Sequence, residues 1–577
     1  MNFGQVYEKA ESECNYLNDR DCIKIYIGSS TDHSTSASGA NTFQAEIDKR
    51  GIKARVITTG SFGYYDLDPV ALIEKTGQSP ILYNNVTPEI ASELVNNYLM
   101  NGNPRSGMAF CSIGDDKINN ISLISDLPLF KLQNRIALRS CGYIDPENIN
   151  HYILRGQGYR GLSKALQMNQ QDVIEELKKS GLRGRGGAGF FTADKWKICH
   201  EAEGSGKCVI CNAVDADPRA HTAQLLLEGD PHAVLEGMLI SAYAVGASHC
   251  IVCVNAEHGL AIKRLRKALE QMRVYGLLGH NILDSNFSSE IEIKEVPSSF
   301  VSGEETALLR CLEEKQVMPY LRPPYPAIHG LADKPTLINQ LETLSNVSAI
   351  FQNGSQWYSS FGTEQSKGTK VITLSGKVVH QYTVEVPFGT TLRSIVEDIG
   401  GGVLSGKNIK AVQFGGPTGA YFNADSLDIQ VDYKTMEEAG SIIGSGTVEV
   451  FDSDSCAVEM TKDIISYIHT QSCGKCVFCR EGSYQMSDIL KDISEHMGKP
   501  QDLDLLIELG EEMKIGCICG LGRTAPNPVL SSIQLFRKEY EVHIKEKRCP
   551  IPPHPTLSPE GRGSKKNTLS PQGRGEG

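Results

Sequence analysis

The sequence predicts a multidomain α/β protein that ends in a helical bundle, and three observations carry this. Its 577 residues exceed what one hydrophobic core organises, so several domains are expected. Two nearly continuous apolar runs, residues 208–214 and 249–254, enclose a helical pattern over Pro231–Val245, as parallel strands with a crossover helix do. Beyond residue 455 the apolar period becomes helical, in Ile464, Ile465 and Ile468, in Met486, Ile489, Leu490 and Ile493, and over residues 505–509.

Taken in order, residues 1–130 alternate short apolar runs (23–27, 54–57, 80–83) with helical stretches such as 88–99, which predicts a small α/β domain. From residue 151, Leu162, Leu166, Val173, Ile174 and Leu177 fit a helical face, and a glycine-dense loop follows at 181–189. Residues 370–450 are rich in Val, Thr and Gly, with one helix-like segment at 391–399 ended by three glycines, which predicts a compact β-rich module. The tail is of another kind: TLSPEGRG at 556–563 recurs as TLSPQGRG at 568–575. Two copies dense in Pro, Gly and charge cannot bury a repeat core, so disorder is expected there.

Composition excludes several classes. Hydrophobic residues at 40% and charged residues at 22% are globular values, which argues against bulk disorder. With 57 basic against 69 acidic residues the net charge is -12, and no long Lys/Arg-rich run occurs, so nucleic-acid binding is not expected. The start MNFGQVYEKAESE lacks the basic-then-apolar order of a signal peptide. The most apolar stretch, 237–254, is broken by Gly246 and carries Ser248 and His249, so it reads as a buried helix and strand and not as a membrane span. A soluble, cytoplasmic protein without membrane insertion is expected. Its 17 cysteines should then stay reduced, as thiols or metal ligands.

Their placement is informative. Cys473, Cys476 and Cys479 form C-x2-C-x2-C within SCGKCVFCREG, a spacing that suits three corners of an iron–sulfur cube. Zinc, the competing ion, more often takes paired C-x2-C hooks or histidine. Downstream, GCICGLG offers both Cys517 and Cys519 as the closing ligand. The pairs Cys208/Cys211 and Cys250/Cys253 imitate zinc hooks, but residues i and i+3 of a strand face opposite sides, so buried thiols are expected. In the loop GLRGRGGAGF (181–190), Gly184, Gly186, Gly187 and Gly189 allow close backbone approach to a ligand ahead of a helix start. Arg183, Arg185 and Lys195 add positive charge, which predicts a phosphate-bearing ligand. Glu304 and Glu305, in SGEETALL, stand where their charge complements a helix dipole and alone name no function. In the proline-stiffened loop LRPPYPAIHG, Arg322 and Tyr325 fit either a cofactor contact or plain surface.

Together, GLRGRGGAGF with Lys195-Trp196, GDPH (229–232), SGEETA, LRPPYPA, GTEQSKGTK and SCGKC–CREG, in this order, resemble the NADH-binding flavoprotein subunit of respiratory complex I. The related subunits of NAD(P)-linked hydrogenases and formate dehydrogenases look closest. The match spans residues 135–544. The resemblance implies NAD(H), FMN and one [4Fe–4S] cluster as cofactors, with hydride transfer to the flavin and single-electron transfer to the cube. It implies four units: a thioredoxin-like domain (1–130), a Rossmann-like FMN/NADH domain (131–368), a β-grasp module (369–450) and a helical cluster domain (451–545), with a tail at 546–577. Carried over by position, Gly184, Arg185, Gly186, Gly187, Ala188, Gly189 and Lys195 match the flavin-phosphate and dinucleotide loop, and Phe190 a ring near the nicotinamide. Asn212, Asp215 and Asp217 fall in the flavin segment, Asn339 matches a flavin contact, and Arg322 and Tyr325 fall in the nucleotide loop. Gly303, Glu304 and Glu305 match the acidic motif lining flavin and NADH, with the two glutamates as the candidate catalytic pair. Cys473, Cys476, Cys479 and Cys519 match the cluster ligands; Cys519 is preferred to Cys517 because the last cysteine of the family precedes x-Leu-Gly.

Departures from the pattern carry expectations too. Where the family reads Asn-Ala-Asp-Glu-Gly-Asp/Glu-Pro-Gly, this chain reads NAVDADPR (212–219), so Val214, Asp215, Ala216 and Arg219 are substitutions. Ser298-Ser299 replaces Gly-Ala, Gln340 an Asn, and Arg322 a Lys. Weaker flavin binding and slower reduction by NADH are expected, with Arg219 either obstructing the cofactor or attracting an extra phosphate. The segment TGSFGYYDLDP (59–69) has no cysteine where hydrogenase-type relatives carry a cluster hook, so a lost [2Fe–2S] cluster is expected. Lys547-Arg548-Cys549-Pro550 precedes a ferredoxin domain in those relatives but leads here into the repeat tail. The implied partners are iron–sulfur subunits of a larger complex, including a thioredoxin-like [2Fe–2S] subunit, which would place the chain in the cytoplasm or peripherally on the inner membrane face. The competing expectation is a degenerate paralogue that wires or scaffolds without oxidising NADH.

Overall fold

The computed structural model describes residues 1–29, 34–114, 118 and 120–551. The repeat tail lies outside them.

Fourteen strands among the described residues form three sheets. The first contains β1 (Ile23–Ser29), β2 (Ala54–Gly60), β3 (Val70–Glu74), β4 (Ile81–Tyr83) and β5 (Ala109–Ser112), in the order β2-β1-β3-β4-β5. Strand β1 runs parallel to β2 and antiparallel to β3. Its side chains alternate: Ile25 and Ile27 join Phe43, Ile73 and Ile81 on one face, while Tyr26 joins Leu72, Phe62 and Tyr64 on the other. Both faces are covered, which is why the run is nearly continuously apolar. The expected helix at 88–99 is real only as far as Pro88–Leu94; it widens there into a π turn over Val95–Met100.

The second sheet is wholly parallel: β6 (Cys208–Ala213), β7 (His249–Asn255), β8 (Glu290–Val296) and β9 (Thr336–Gln340), ordered β8-β7-β6-β9. The helix Pro231–Val245 crosses between β6 and β7, and Gly246, at φ 76°, ends it in the left-handed region that glycine tolerates. Cys211 and Cys250 enter the large core on one face, and Cys208 and Cys253 the smaller core on the other, so neither pair can act as a hook.

The third sheet takes β10 (Thr369–Gly376), β11 (Thr383–Pro387), β12 (Ile409–Phe414), β13 (Ala420–Asn423) and β14 (Thr447–Asp452) in the order β11-β10-β14-β12-β13. The helix-like segment 391–399 is a π turn over Ser394–Ile399 that buries Ile395, Val396 and Ile399. Helices Ala457–Thr470, Val477–Ser494, Asp502–Gly516, Gly520–Thr524 and Asn527–Lys545 close the chain around Ile465, Ile468, Met486, Leu490, Ile493, Leu506 and Met513. No helix among the described residues is long and apolar enough to cross a membrane.

Polar ties fix the sheets to one another. Lys370 of β10, 1% exposed, donates to Glu342 at 2.5 Å in the helix that follows β9, and Glu342 also accepts from Val371 N at 2.8 Å. The buried Glu385 of β11 accepts from the backbone N–H groups of Ile136, Ala137 and Leu138, each at 2.9 Å. At Gly60 the first sheet approaches so closely that a Cβ would lie 2.5 Å from Gly229 Cα.

Candidate functional site

Strand order reverses at β6, which pairs with β7 on one side and β9 on the other. In an open parallel sheet the crevice beyond the carboxyl ends at such a reversal is where ligands bind. The register sets Cys211 opposite Asn339 and Asn212 opposite Gln340, so the candidate residues after β6 and at the end of β9 face each other across this point.

The loops around it are interlocked. Asn212 Nδ2 donates to Gly303 O at 2.8 Å, and a Cβ on Gly303 would lie 2.9 Å from Ala216 Cβ. The glycine loop approaches the same place: a Cβ on Gly186 would lie 3.5 Å from Gln340 Cβ. Gly187 (φ 110°) abuts Gly444, and a Cβ on Gly189 (φ 64°) would lie 2.4 Å from the Tyr433 ring, so these two positions admit only glycine. Ala188 lies between these two glycines, and Phe190, next to them, is 56% exposed at the mouth.

The three cations of this region have different fates. Arg185, expected to add charge for a phosphate, is 1% exposed and points inward, donating to Thr369 O (2.9 Å), Lys367 O (2.7 Å), Arg183 O (2.7 Å) and Tyr358 OH (2.7 Å). Its guanidinium therefore shapes the loop from behind, a correction to the electrostatic expectation. Arg183 Nε is spent on Gly189 O at 2.6 Å. Lys195 remains in the crevice, paired with Glu305 and donating to Ile338 O at 2.7 Å. Beside it Trp196 Nε1 donates to Asn339 Oδ1 at 3.0 Å.

Glu304 caps the helix Glu305–Leu312: its Oε2 accepts from Thr306 N and Ala307 N, each at 2.9 Å, and from Thr306 Oγ1. Glu305, in the first turn of that helix, is the carboxylate paired with Lys195. Arg322 spans both, 3.8 Å from Glu304 and 3.6 Å from Glu305, and Tyr325 stands 53% exposed nearby in sequence.

The divergent segment 212–219 has turned toward the protein. Val214 is 1% exposed and packs with Ile210, Ile251, Cys253 and Ile338. Asp215, at φ 47°, accepts from Ala223 N at 2.6 Å, and burial pushes its carboxyl up to about 7. Asp217 accepts from Ser445 Oγ at 2.6 Å and from Thr447. Arg219 pairs with Glu449 and donates to Gln413 Oε1 at 3.2 Å, so its charge is neutralised within the fold. Its Nη2, and Thr222 Oγ1 close by in sequence, are buried without a partner. The glycine loop itself fits a phosphate-bearing cofactor: Gly184, Gly186, Gly187 and Gly189 leave backbone without Cβ atoms ahead of the helix Thr192–Glu201.

Cysteines gather on the other flank. Cys473 lies in the loop after Ala457–Thr470, Cys476 precedes the helix Val477–Ser494, Cys479 lies in its first turn, and Cys517 and Cys519 flank the junction between Asp502–Gly516 and Gly520–Thr524. Cys517 contacts Cys479 and Cys476, whereas Cys519 lies in electrostatic reach of Cys479, Cys473 and Glu304. Ser472 Oγ lies 3.4 Å from Cys479 Sγ. The Cys517 contact draws Cys479 toward the thiolate, while burial pushes Cys519 up to about 11 and raises Cys473. An all-thiol donor set converging from three helix ends fits an iron–sulfur cube.

One donor group escaped the sequence reading. Cys456, His543 and Cys549 bring their ligand atoms within 4.8 Å of one another, with Cys456 Sγ 3.3 Å from His543 Nε2. These thiol and imidazole donors could hold a single metal ion. Cys456 and His543 are separated by 87 positions, so no local spacing announces the group.

The fold and both flanks define a class: a nucleotide-binding α/β redox protein with a thiol-ligated cluster beside its crevice. Comparison with known proteins sharpens this. Residues 177–349 match the Nuo51 FMN-binding domain, and residues 459–543 match the iron–sulfur binding region of NADH-ubiquinone oxidoreductase-F. The chain is 47% identical over 420 residues to the NADP-reducing hydrogenase subunit HndC of Solidesulfovibrio fructosivorans, covering 73% of this chain and 85% of that one. It is 39% identical over 417 residues to an F-type subunit (F 2) of the NADH-quinone oxidoreductase of Rhizobium meliloti (strain 1021), covering 72% and 99%. The crystal structure of an NAD+-reducing [NiFe]-hydrogenase in the H2-reduced state shares the fold, with a TM-score of 0.62 at 24% identity over 96% of this chain and 88% of that one. The chain belongs to the family of F-type subunits of NADH-quinone oxidoreductases and their hydrogenase counterparts.

Proposed function

We propose that this chain is the electron-input subunit of a larger oxidoreductase complex, oxidising NADH through FMN and passing single electrons to one [4Fe–4S] cluster. The observation that carries it is adjacency: the loops bearing Gly303, Glu304 and Arg322 border both the switch-point crevice and the loop bearing the cluster cysteines. FMN, when bound, accepts a hydride from NADH and releases electrons one at a time, which a neighbouring cube can take up.

The chain's own residues then have separable tasks. Gly184, Gly186, Gly187, Ala188 and Gly189 admit the flavin phosphate, with Arg185 fixing the loop from inside. Asn212, Asp215, Asp217 and Asn339 border the flavin ring. Lys195, Glu305, Arg322, Phe190 and Tyr325 receive the dinucleotide, whose arrival must displace the Lys195–Glu305 and Arg322–Glu305 ion pairs. Glu304 shapes the acidic motif as a helix cap. Cys473, Cys476, Cys479 and Cys519 hold the cube.

In finer terms we assign a thioredoxin-like unit to the first sheet, a Rossmann-like unit to the second, a β-grasp unit to the third and a cluster bundle to the last helices. The relatives are named as subunits of a hydrogenase and of a quinone oxidoreductase, which supports a place in a larger complex; as its partners we assign iron–sulfur subunits, a thioredoxin-like [2Fe–2S] subunit among them. A cytoplasmic or peripheral membrane-face location accords with such an assembly. A second reading, a subunit that wires electrons without oxidising NADH, is favoured by Val214 and Arg219, which the fold has recruited to a core and an ion pair.

Titrating the full chain with FMN by fluorescence quenching, then mixing it with NADH and with NADPH in a stopped flow, separates the two. Flavin binding with reduction by either nucleotide supports electron input; no flavin binding supports the wiring subunit.

A further inference from the structure

Two hydrogen bonds join the cluster loop to the loops of the nucleotide site. Lys475, between Cys473 and Cys476, donates from Nζ to Pro319 O at 2.6 Å. Gln471, two residues before Cys473, accepts from Phe300 N at 2.9 Å. Phe300 stands three residues before Gly303, and Pro319 three before Arg322. The cluster end of this connection is stiff: Gly474 is held from both sides, by Arg480 Nη1 on its carbonyl at 2.7 Å and by Ser472 Oγ on its N–H at 3.2 Å. The nucleotide end is held by Tyr320 and by the Arg322 ion pairs to Glu304 and Glu305. Tyr320 N donates to Thr306 Oγ1 at 3.0 Å, after which Leu321 and Tyr325 stand 65% and 53% exposed.

We propose that Lys475, assisted by Gln471, is a positioning residue that couples nucleotide binding to the iron–sulfur cluster by latching the 319–325 loop to the cluster loop. The inference rests on the cofactor assignment above. A dinucleotide entering between Arg322 and Glu305 must shift the 319–325 loop, and Pro319 then moves the Lys475 ammonium relative to the cube. Displacing a cation beside a cluster of net negative charge changes its potential. Linkage is reciprocal: whatever factor nucleotide binding contributes to cluster reduction, reduction contributes to nucleotide affinity.

The test uses the full chain loaded with FMN and cluster, and the redox-inert nucleotide 1,4,5,6-tetrahydro-NADH. Three quantities are read: the cluster midpoint potential by EPR-monitored titration with and without the analogue, the analogue's Kd, and amide exchange of peptides covering residues 320–325. In the unaltered protein the analogue shifts the potential. Lys475→Met abolishes the shift, weakens the analogue roughly two- to tenfold (the effect of one hydrogen bond) and speeds exchange at 320–325, while Lys475→Arg restores all three. Retention of the shift in Lys475→Met, or unaltered exchange there, overturns the proposal. If Lys475→Met loses iron, Gln471→Ala decides by the same readouts, a full-sized shift overturning the latch. If the analogue fails to bind the unaltered protein, the NADH assignment falls, and exchange at 320–325 still decides whether the latch holds.

Discussion

Cys517 and Cys519 stand two residues apart and share Cys479 as a neighbour, but Cys517 also meets Cys476, while Cys519 lies in reach of Cys473 and Glu304. Cys476→Ser and Cys519→Ala should each abolish the cluster's EPR signal and its iron, and Cys517→Ala should leave both. The opposite outcome for the last two would make Cys517 the fourth ligand. Asp68 makes a second prediction. It is 8% exposed, its Oδ2 accepts from Ser61 Oγ at 3.2 Å, its Oδ1 has no partner, and burial pushes its carboxyl up to about 7. Because the folded value lies above the ordinary carboxylate value, the folded state holds the proton longer, so stability is lost as pH rises from about 4 through about 7. Asp68→Asn should remove that loss, and denaturant unfolding at pH 5 and pH 8 checks it: a gain of the same size at both pH values would contradict the assignment. Sequence could single out Cys473, Cys476 and Cys479 because their spacing is local, whereas the proposed fourth ligand, Cys519, lies 40 residues beyond Cys479 and came from the family resemblance. Sequence could not foresee that Arg219 pairs with Glu449 or that Arg185 points inward, since those partners are distant in the chain or are backbone carbonyls.

At the scale of elements, the buried Lys370–Glu342 pair joins β10 to the helix behind the crevice. Removing one partner leaves a buried charge, so Lys370→Met should cost about 3–5 kcal/mol, and adding Glu342→Gln should recover much of it. Urea unfolding of both variants measures this; equal stability of the single variant and the parent would show that the pair contributes nothing. The elements themselves were largely legible. β6 and β7 appeared as continuous apolar runs because both faces of a parallel sheet are covered, and Pro231–Val245 was bounded by its own proline and glycine signals. The π turns at Val95–Met100 and Ser394–Ile399 were not, because a π turn and an α turn place apolar residues on one face alike.

For the whole molecule, the strand reversal at β6 is what makes the residue assignments cohere: it brings together β6 and β9, far apart in the chain, and turns four separate motifs into one crevice beside one thiol cluster. No cysteine occurs at 59–69, so one cube, about four iron atoms per chain, is expected, and about six would reveal a surviving [2Fe–2S] site. Val214 offers a flavin no polar partner where the family carries an aspartate, and at about 0.5–1.5 kcal/mol for one lost hydrogen bond FMN should bind roughly two- to tenfold more weakly than in a relative carrying the full motif. The most direct test of the central claim is a rapid-freeze EPR measurement on the full chain, loaded with iron and saturated with FMN, after mixing with NADH. Flavin bleaching followed by a reduced [4Fe–4S] signal that Cys519→Ala lacks is the predicted result; a cluster that dithionite reduces but NADH leaves oxidised, with the flavin unbleached, would contradict it.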